Sequence, residues 1–594
     1  MSPFCGVVDF ADAPVAPSLL RAMMQPLTRG DPSALETCTK GSFGAAWLGS
    51  GASCEHTTGA GLTVVGDTRL DNRQQLAHEI FPEPPPAGLT DGELLGAAYA
   101  RWGQRWHGHL SGAIAAVVWN ERERTLVLLR DRVGERGLYW STTSGRFLFA
   151  SEASLLIPAG GIGGEPNRLR LLAYLLGAAA EPTWSYFERV QRVPEGSQVR
   201  VTAGRIELDR YWDWTTVEAR GCGLRDAAPE LAQRLRAAVE RRLPLQGETG
   251  VLLSSGLDST SVAAAAADTL QGRSRQLYAF TWTAQSGDGI DETPLSRDFI
   301  RSRSNVVEHP LEADALWPLS RYPEAYADPS DPEANAFPDL LLATLEAARQ
   351  QGVTVLMNGI GGDPVAGWLM PELALLLRGR LGALARRWRL SGLRHARLLS
   401  ELRFLAQRPR WPDWVTPQAR RQAKEAGFDR SLVSWRTLSS PDRFRRAALA
   451  SAANAASLER FDRLSRRYGV RVMAPWHDPD LGSLVLGLPD RALAAVPPAK
   501  QMLRAAMARH LPAAILQAPT EKRSPWGLRE RGLLGAARRT VEELLSGSRL
   551  AEIGLVDGAR LLAAYREGAS RQAVTPSLWE ALTAETWLLA NARL

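Results

Sequence analysis

The chain has 594 residues, 45% of them hydrophobic, with 71 Lys and Arg against 64 Asp and Glu for a formal net charge of +7; that length asks for two or more cores, and the composition is that of a globular protein. Only four of the basic residues are lysines (Lys40, Lys424, Lys500 and Lys522), so the positive balance reads as a compositional preference for arginine, and without an interleaved basic-aromatic module no nucleic-acid partner is expected. The four cysteines, Cys5, Cys38, Cys54 and Cys222, form no C-x-x-C pair and no zinc spacing, so neither disulfides nor structural zinc are expected and a reducing cytoplasm fits best.

The opening MSPFCGVVDF lacks the basic start and long apolar run of a signal peptide. The longest apolar stretches, GAIAAVVW and SVAAAAA, are too short to span a bilayer, so no membrane partner is expected either. Residues 1–212 read as β-rich: GLTVVGDTRL, AIAAVVWN, TLVLLRDR, GLYWST and RFLFASE are short apolar or alternating runs separated by turn residues. RVPEGSQVRVTAGRIELDRYWDW reads as a closing hairpin. From about 225 the spacing turns helical with APELAQRLRAAVERRL, and then GVLLS, QLYAFTW, NVVEHP and VTVLMNG alternate with helical segments, the pattern of a parallel sheet. Residues 371–470 are rich in Arg and Leu at helical spacing and are expected to form a helical insertion, with Trp411, Trp414 and Trp435 as core or as ligand contacts.

The stretch GVLLSSGLDSTSVAAAAADTL runs from an apolar strand through small residues into an Ala-rich helix. Such a turn lets backbone N–H groups approach an anion at a helix start, where the macrodipole also favours negative charge. The hydroxyls of Ser254 and Ser259 add donors, and Asp258 can hold a magnesium ion. No Walker lysine is present. The same residues would also serve as a plain capped helix start.

SSGLDST resembles the S-G-G-L-D-S pyrophosphate loop of the asparagine synthetase superfamily, with Ser255 standing where the family has Gly. That substitution requires φ to stay negative at Ser255. VLMNGIGGDPVAGW resembles the family's ATP-closing loop, VMAPWHDPDLGSLVLGLP its P-F-x-D segment, which is read as packing around the sheet, and KQMLRAAMARHLPAAILQAPTEKRSPWG its closing K-x-x-L-R…L-P…K stretch. The resemblance implies ATP or pyrophosphate contacts from Leu253, Ser254, Ser255, Gly256, Leu257, Asp258, Ser259 and Thr260, and from Trp282, Asn358, Gly359 and Gly361. It implies Mg²⁺ on Asp258 and Asp363, and catalysis by these two with Lys522 at the reacting acyl-phosphate.

Residues 1–212 resemble a class II glutamine amidotransferase, an Ntn-type αββα domain, in CGVV, GDTRLDNRQQL, LSGAIAAVVWNERERTLVLLRDRVGERGLYW and FASEASLL. Its Asn-Gly-Glu stretch here reads Val65-Gly66-Asp67, and Cys5, where the family has a first-residue nucleophile, has an amide in place of the free amine that would serve as its base. A glutaminase fold without its chemistry is therefore expected over 1–212, followed by an ATP-pyrophosphatase α/β domain over 213–594. Within the superfamily the chain looks most like a lasso peptide cyclase. The resemblance implies a ribosomal precursor peptide as substrate, a leader-binding protein and a leader protease as partners, and a large cavity between the domains, walled by the insertion, as the site. A glutamine- or ammonia-dependent asparagine synthetase and a β-lactam synthetase are the alternatives. The family's Glu or Tyr between the loop glycines is Ile360 here.

Overall fold

Alternating apolar residues across residues 4–210 build two six-stranded antiparallel sheets, each strand turning one side inward. A computed structural model describes residues 3–28, 34–49, 52–57, 61–82, 85–86, 88–218, 224–285, 293–326, 328–367, 371–391, 398–406, 411–428, 440–489, 499–518, 526–571 and 573–592. Strands are β1 (Phe4–Asp9), β2 (Leu35–Lys40), β3 (Phe43–Leu48), β4 (Ala52–Thr57), β5 (Leu62–Leu70), β6 (Gly112–Asn120), β7 (Thr125–Arg130), β8 (Tyr139–Thr143), β9 (Arg146–Ala150), β10 (Gln191–Arg192), β11 (Ser197–Thr202) and β12 (Arg205–Arg210). The sheets run β10-β8-β9-β1-β3-β2 and β12-β11-β7-β6-β5-β4. Phe4, Phe43, Phe147 and Phe149 of the first sheet and Val65, Val117, Trp119 and Leu128 of the second share one cluster, with the rings of Phe43 and Trp119 stacked at 6.2 Å.

Helices close the outer faces. Leu20, Met23 and Met24 of the helix Pro17–Thr28 cover the first sheet. Leu76, Leu94, Leu95 and Ala98, from the helices Arg73–Ile80 and Asp91–Trp102, cover the second. The latter helix starts with a capping box, Thr90 and Glu93 satisfying each other's backbone N–H. This is the αββα layering expected of the N-terminal half.

The C-terminal half is built on a parallel sheet of β13 (Glu248–Leu252), β14 (Leu277–Thr283), β15 (Val306–Glu312), β16 (Val353–Met357) and β17 (Arg471–Met473), ordered β15-β14-β13-β16-β17. Strand order reverses on either side of β13, so the carboxyl ends of β13 and β16 flank a crevice of the kind where open α/β sheets place ligands. Among the described residues no helix is long and apolar enough to cross a membrane.

The helices described within 371–470 pack in more than one place. Helices Glu372–Leu377, Leu381–Ser391 and Leu398–Ala406 form a small unit. Ala374, Leu375 and Leu384 make its core, and Glu401 accepts the N–H groups of Glu372 and Leu373 at 3.1 and 2.8 Å. The helix Pro417–Glu425 instead buries Ala419 and Ala423, beside Trp414, in the main core. Trp411 packs against that core half-buried, and Trp435 lies outside the described residues. The helix Ala452–Arg466 carries a row of ionic side chains to the N-terminal half. Glu459 pairs with Arg130 and Arg192, Asp462 lies 2.9 Å from Arg136, and Arg466 pairs with Glu152. The arginine excess thus has a structural share, because several of these guanidinium groups are buried in ion pairs between the halves.

Candidate active site

Val251 and Leu252 end β13, and the chain turns through Ser254, Ser255 and Gly256 into the helix Leu257–Gln271. Gly256 is its N-cap residue with extended backbone, and no side chain caps it there. The serines instead brace the turn internally. Ser254 Oγ lies 2.8 Å from Ser259 Oγ, Ser259 Oγ donates to the carbonyl oxygens of Ser254 and Gly256 at 3.2 and 3.1 Å, and the Gly256 N–H donates to Ser254 Oγ at 3.2 Å. Thr260 Oγ1 donates to the Gly256 carbonyl at 3.0 Å. Ser255 is not among the residues at positive φ, so its Cβ sits without backbone strain where the family has glycine. Leu253 is tied to the neighbouring strand by its N–H to the Phe280 carbonyl at 2.8 Å.

The second loop follows β16. Its Asn358 donates from N–H to the Met473 carbonyl at 3.0 Å and accepts the Ile360 N–H on Oδ1 at 3.0 Å. Glycine is required here by close approach. A Cβ on Gly359 would stand 2.5 Å from the Ser259 backbone nitrogen, and one on Gly362 would stand 2.3 Å from Asp258 Cγ. Gly361, at φ +91°, lies against the His477 ring, where a Cβ would come within 2.7 Å. The two loops are therefore pressed together, which brings Asp258 and Asp363 to one place.

Between the two carboxylates stands a residue to which the sequence assigned no role. Lys500 Nζ is 2.5 Å from Asp258 Oδ2 and 2.7 Å from Asp363 Oδ1. The Asp258 side chain is 7% exposed and that of Asp363 is 49% exposed, so the pair has one wall inside the protein and one open to a ligand. Lys500 holds a left-handed backbone (φ 62°, ψ 33°) as the N-cap of the helix Gln501–Ala506. Two signals could have found it: lysine is rare in this chain, and Lys500 is the first letter of KQMLR. Lys522, expected at the reacting group, lies outside the described residues.

Asp258 is also held from behind, its carbonyl accepting Trp476 Nε1 at 3.2 Å. His477, beside Trp476, is largely buried, and burial pushes its imidazole down to about 4. Trp282 lies near the end of β14 with Nε1 donating to Thr344 Oγ1 at 3.1 Å. Ile360 is exposed at the tip of the second loop.

Two convergent carboxylates suit Mg²⁺, which takes one or two protein carboxylates and completes its shell from phosphate and water. A site where an ammonium already draws both Asp258 and Asp363 toward one point fits such an ion. Among the described residues no group of three or more His, Cys, Asp and Glu forms an all-protein cage.

The N-terminal half carries no comparable constellation at its opening strand. Cys5 is the second residue of β1, paired with Ala46 on β3 and Ala150 on β9, and fully buried. Burial pushes its thiol far above the usual range. Asp67, in the Val65-Gly66-Asp67 stretch, is ion-paired with Arg136 at 3.2 Å. A cavity of about 680 Å³ lies between the halves. Pro3, Leu27, Leu48, Tyr322 and Leu589 are among its walls together with Arg463 and Arg466 of the 371–470 stretch, while none of Ser254–Thr260 and Asn358–Asp363 lines it.

The asparagine synthase family model matches residues 230–589, and the glutamine amidotransferase domain model matches residues 68–212. Amidase chry2 of Gibberella zeae is 26% identical over 338 residues, 53% of this chain and 48% of the relative. Amidase chyE of Penicillium rubens is 27% identical over 335 residues, again 53% of this chain and 48% of the relative. Asparagine synthetase (glutamine-hydrolyzing) 3 of Bacillus subtilis is 26% identical over 207 residues, 34% of each chain. The matches thus span about half the length of the two amidases and about a third of the synthetase.

Proposed function

We propose that this chain, which belongs to the asparagine synthase family, is an ATP-dependent, AMP-forming amide ligase that closes a macrolactam within a ribosomal precursor peptide. The observation that carries the second half of this reading is Cys5. A thiol buried in the middle of a sheet, flanked by an amide, has neither the base nor the access that a glutaminase nucleophile needs. In this reading the amine comes with the substrate and not from glutamine.

In this reading an Asp or Glu side-chain carboxylate of the peptide forms a bond to the α-phosphorus of ATP, and the bond to the β-phosphate bridging oxygen breaks, releasing pyrophosphate. The peptide's N-terminal amine then attacks the activated carbonyl, the bond to AMP breaks, and one proton is released. The backbone turn of residues 254–259 would cradle the pyrophosphate at its helix start. Asp258 and Asp363 would hold Mg²⁺, whose charge offsets that of the phosphates. Lys500 would meet the pyrophosphate, and Lys522 the oxygen of the tetrahedral carbon. Removing one such contact costs about 3 kcal/mol of transition-state stabilisation. An α-amine with a pKa of about 7.7–8.0 is partly neutral near pH 7, so Ile360 in the place of a Glu or Tyr is no obstacle.

The partners in this reading are the precursor peptide, a leader-binding protein and a leader protease. An asparagine synthetase reading is favoured by the name of the Bacillus relative, and a β-lactam-forming ligase is chemically equivalent. The test is pyrophosphate release. Stimulation by a linear precursor, with loss of one water from its mass, is expected. Stimulation by aspartate with glutamine or ammonia, and none by peptide, would replace the macrolactam reading with the synthetase one.

A further inference from the structure

The N-terminal half, whose Cys5 is sealed in a sheet, shares a largely buried ionic seam with the C-terminal half, and one part of that seam ends at the loops that carry Asp258 and Asp363. Glu135 of the N-terminal half sits between two guanidinium groups, with Arg69 Nη1 at 3.0 Å and Arg242 Nη2 at 3.4 Å. Arg242, its side chain 1% exposed, continues to Asp478, with Nη1 2.8 Å from Oδ2. Asp478 takes Arg241 on the same oxygen at 2.8 Å, while its other oxygen caps the helix Pro479–Gly487 through the Asp480 N–H at 3.1 Å. Asp478 thus ends the short segment Pro475–Asp478 with every carboxylate oxygen committed.

That segment touches both loops of the site. Trp476 Nε1 donates to the Asp258 carbonyl at 3.2 Å, and the His477 ring fills the space beneath Gly361. A parallel link leaves Arg69, whose Nη1 lies 3.5 Å from Met473 Sδ, and the Met473 carbonyl accepts the Asn358 N–H at 3.0 Å. Both routes start on the N-terminal half and end on residues that flank Asp258 or Asp363.

We propose that Glu135 is a positioning residue for the nucleotide site: through Arg242 and Asp478 it fixes Pro475–Asp478, and so sets the separation of the Asp258 turn from the Gly359–Asp363 loop. The N-terminal half then acts as the fixed support of the Mg²⁺·ATP site. The dependence is on the nucleotide role of Asp258 and Asp363 and not on which carboxylate is activated. A buried carboxylate flanked by two guanidinium groups holds its charge, and Glu135 stays well below the usual carboxylate range because Arg69 and Arg242 outweigh its burial. Removing one partner of a buried, hydrogen-bonded ion pair leaves an uncompensated charge, so the neighbouring groups shift.

The test compares two buried carboxylates of the same half in the full-length protein. Glu135 reaches Pro475–Asp478, whereas Glu152 pairs with Arg466, whose other partner is Asp462 on its own helix. Glu135→Gln and Glu152→Gln are titrated calorimetrically with Mg²⁺·ATP in the absence of any carboxylate substrate, with melting temperatures in parallel. Glu135→Gln is expected to weaken Mg²⁺·ATP binding at least tenfold, and Glu152→Gln to leave it within twofold at a similar loss of melting temperature. Equal weakening in both variants, or none in Glu135→Gln, overturns the proposal. If Glu135→Gln does not fold, Trp476→Phe removes the donor to Asp258 together with part of the buried ring, and unchanged affinity there overturns the proposal as well. Absence of Mg²⁺·ATP binding by the unaltered protein would instead sink the adenylation reading and this one with it.

Discussion

Lys500 Nζ stands 2.5 Å from Asp258 Oδ2, although the two residues are 242 positions apart. The same ammonium is 2.7 Å from Asp363 Oδ1, so one cation holds together the ends of two loops from different strands. Lys500→Met is expected to lower pyrophosphate release by about 100-fold, the usual loss when a preorganised charge contact at developing negative charge is removed. The assay is substrate-stimulated pyrophosphate release at saturating Mg²⁺·ATP. A rate within threefold of the parent would remove Lys500 from the chemistry.

Gly362 is the point of closest approach between the two loops, with room for no Cβ beside Asp258. Gly362→Ala is expected to push the loops apart, raise the Mg²⁺ concentration needed for half-maximal pyrophosphate release by tenfold or more, and leave the melting temperature nearly unchanged. The backbone there has no positive φ to strain, so the effect is one of contact alone. An unaltered Mg²⁺ dependence would show that the carboxylates act separately.

Cys5 is packed between β3 and β9 with its thiol kept protonated by burial. Cys5→Ala is expected to cost about 1 kcal/mol of stability, as a small buried group leaves a small cavity, and to leave ring closure within twofold. Iodoacetamide at pH 8 should modify Cys5 in unfolded protein and not in folded protein, as read by peptide mass spectrometry. Rapid native labelling, or a large loss of activity in Cys5→Ala, would restore a chemical role.

His477 supplies a pH signature. Its folded value, about 4, lies below the unfolded value of about 6.5, so between those limits the unfolded chain binds more protons. Its contribution to stability is complete above pH 6.5 and is lost as pH falls from there toward 4. His477→Leu should flatten that part of the denaturant-midpoint profile between pH 6.5 and 4, and an unchanged profile would place the acid sensitivity on other groups.

The features legible in the sequence are local ones. The apolar run of β13, the small residues after it and the alanine-rich helix lie within one short window, and their geometry follows from backbone sterics and helix-end hydrogen bonding. The β-rich character of residues 1–212 came from alternation along single strands. Over 371–470 helical periodicity says which face is apolar and nothing about what covers it. Ala374 and Leu384 turn to their own small core, while Ala419 and Trp414 turn to the main one.

The sequence by itself determined the α/β class and the strand–turn–helix that carries Asp258, because apolar periodicity and the small residues of a turn are read along the chain. Tertiary structure alone decided that Lys500 joins Asp258 and Asp363, that Cys5 is sealed in a sheet, and that Glu135 and Arg242 tie the two halves beneath the loops. Charges attract along straight lines in space, and the chain separation of Glu135 from Arg242, 107 residues, carries no trace of the 3.4 Å between them.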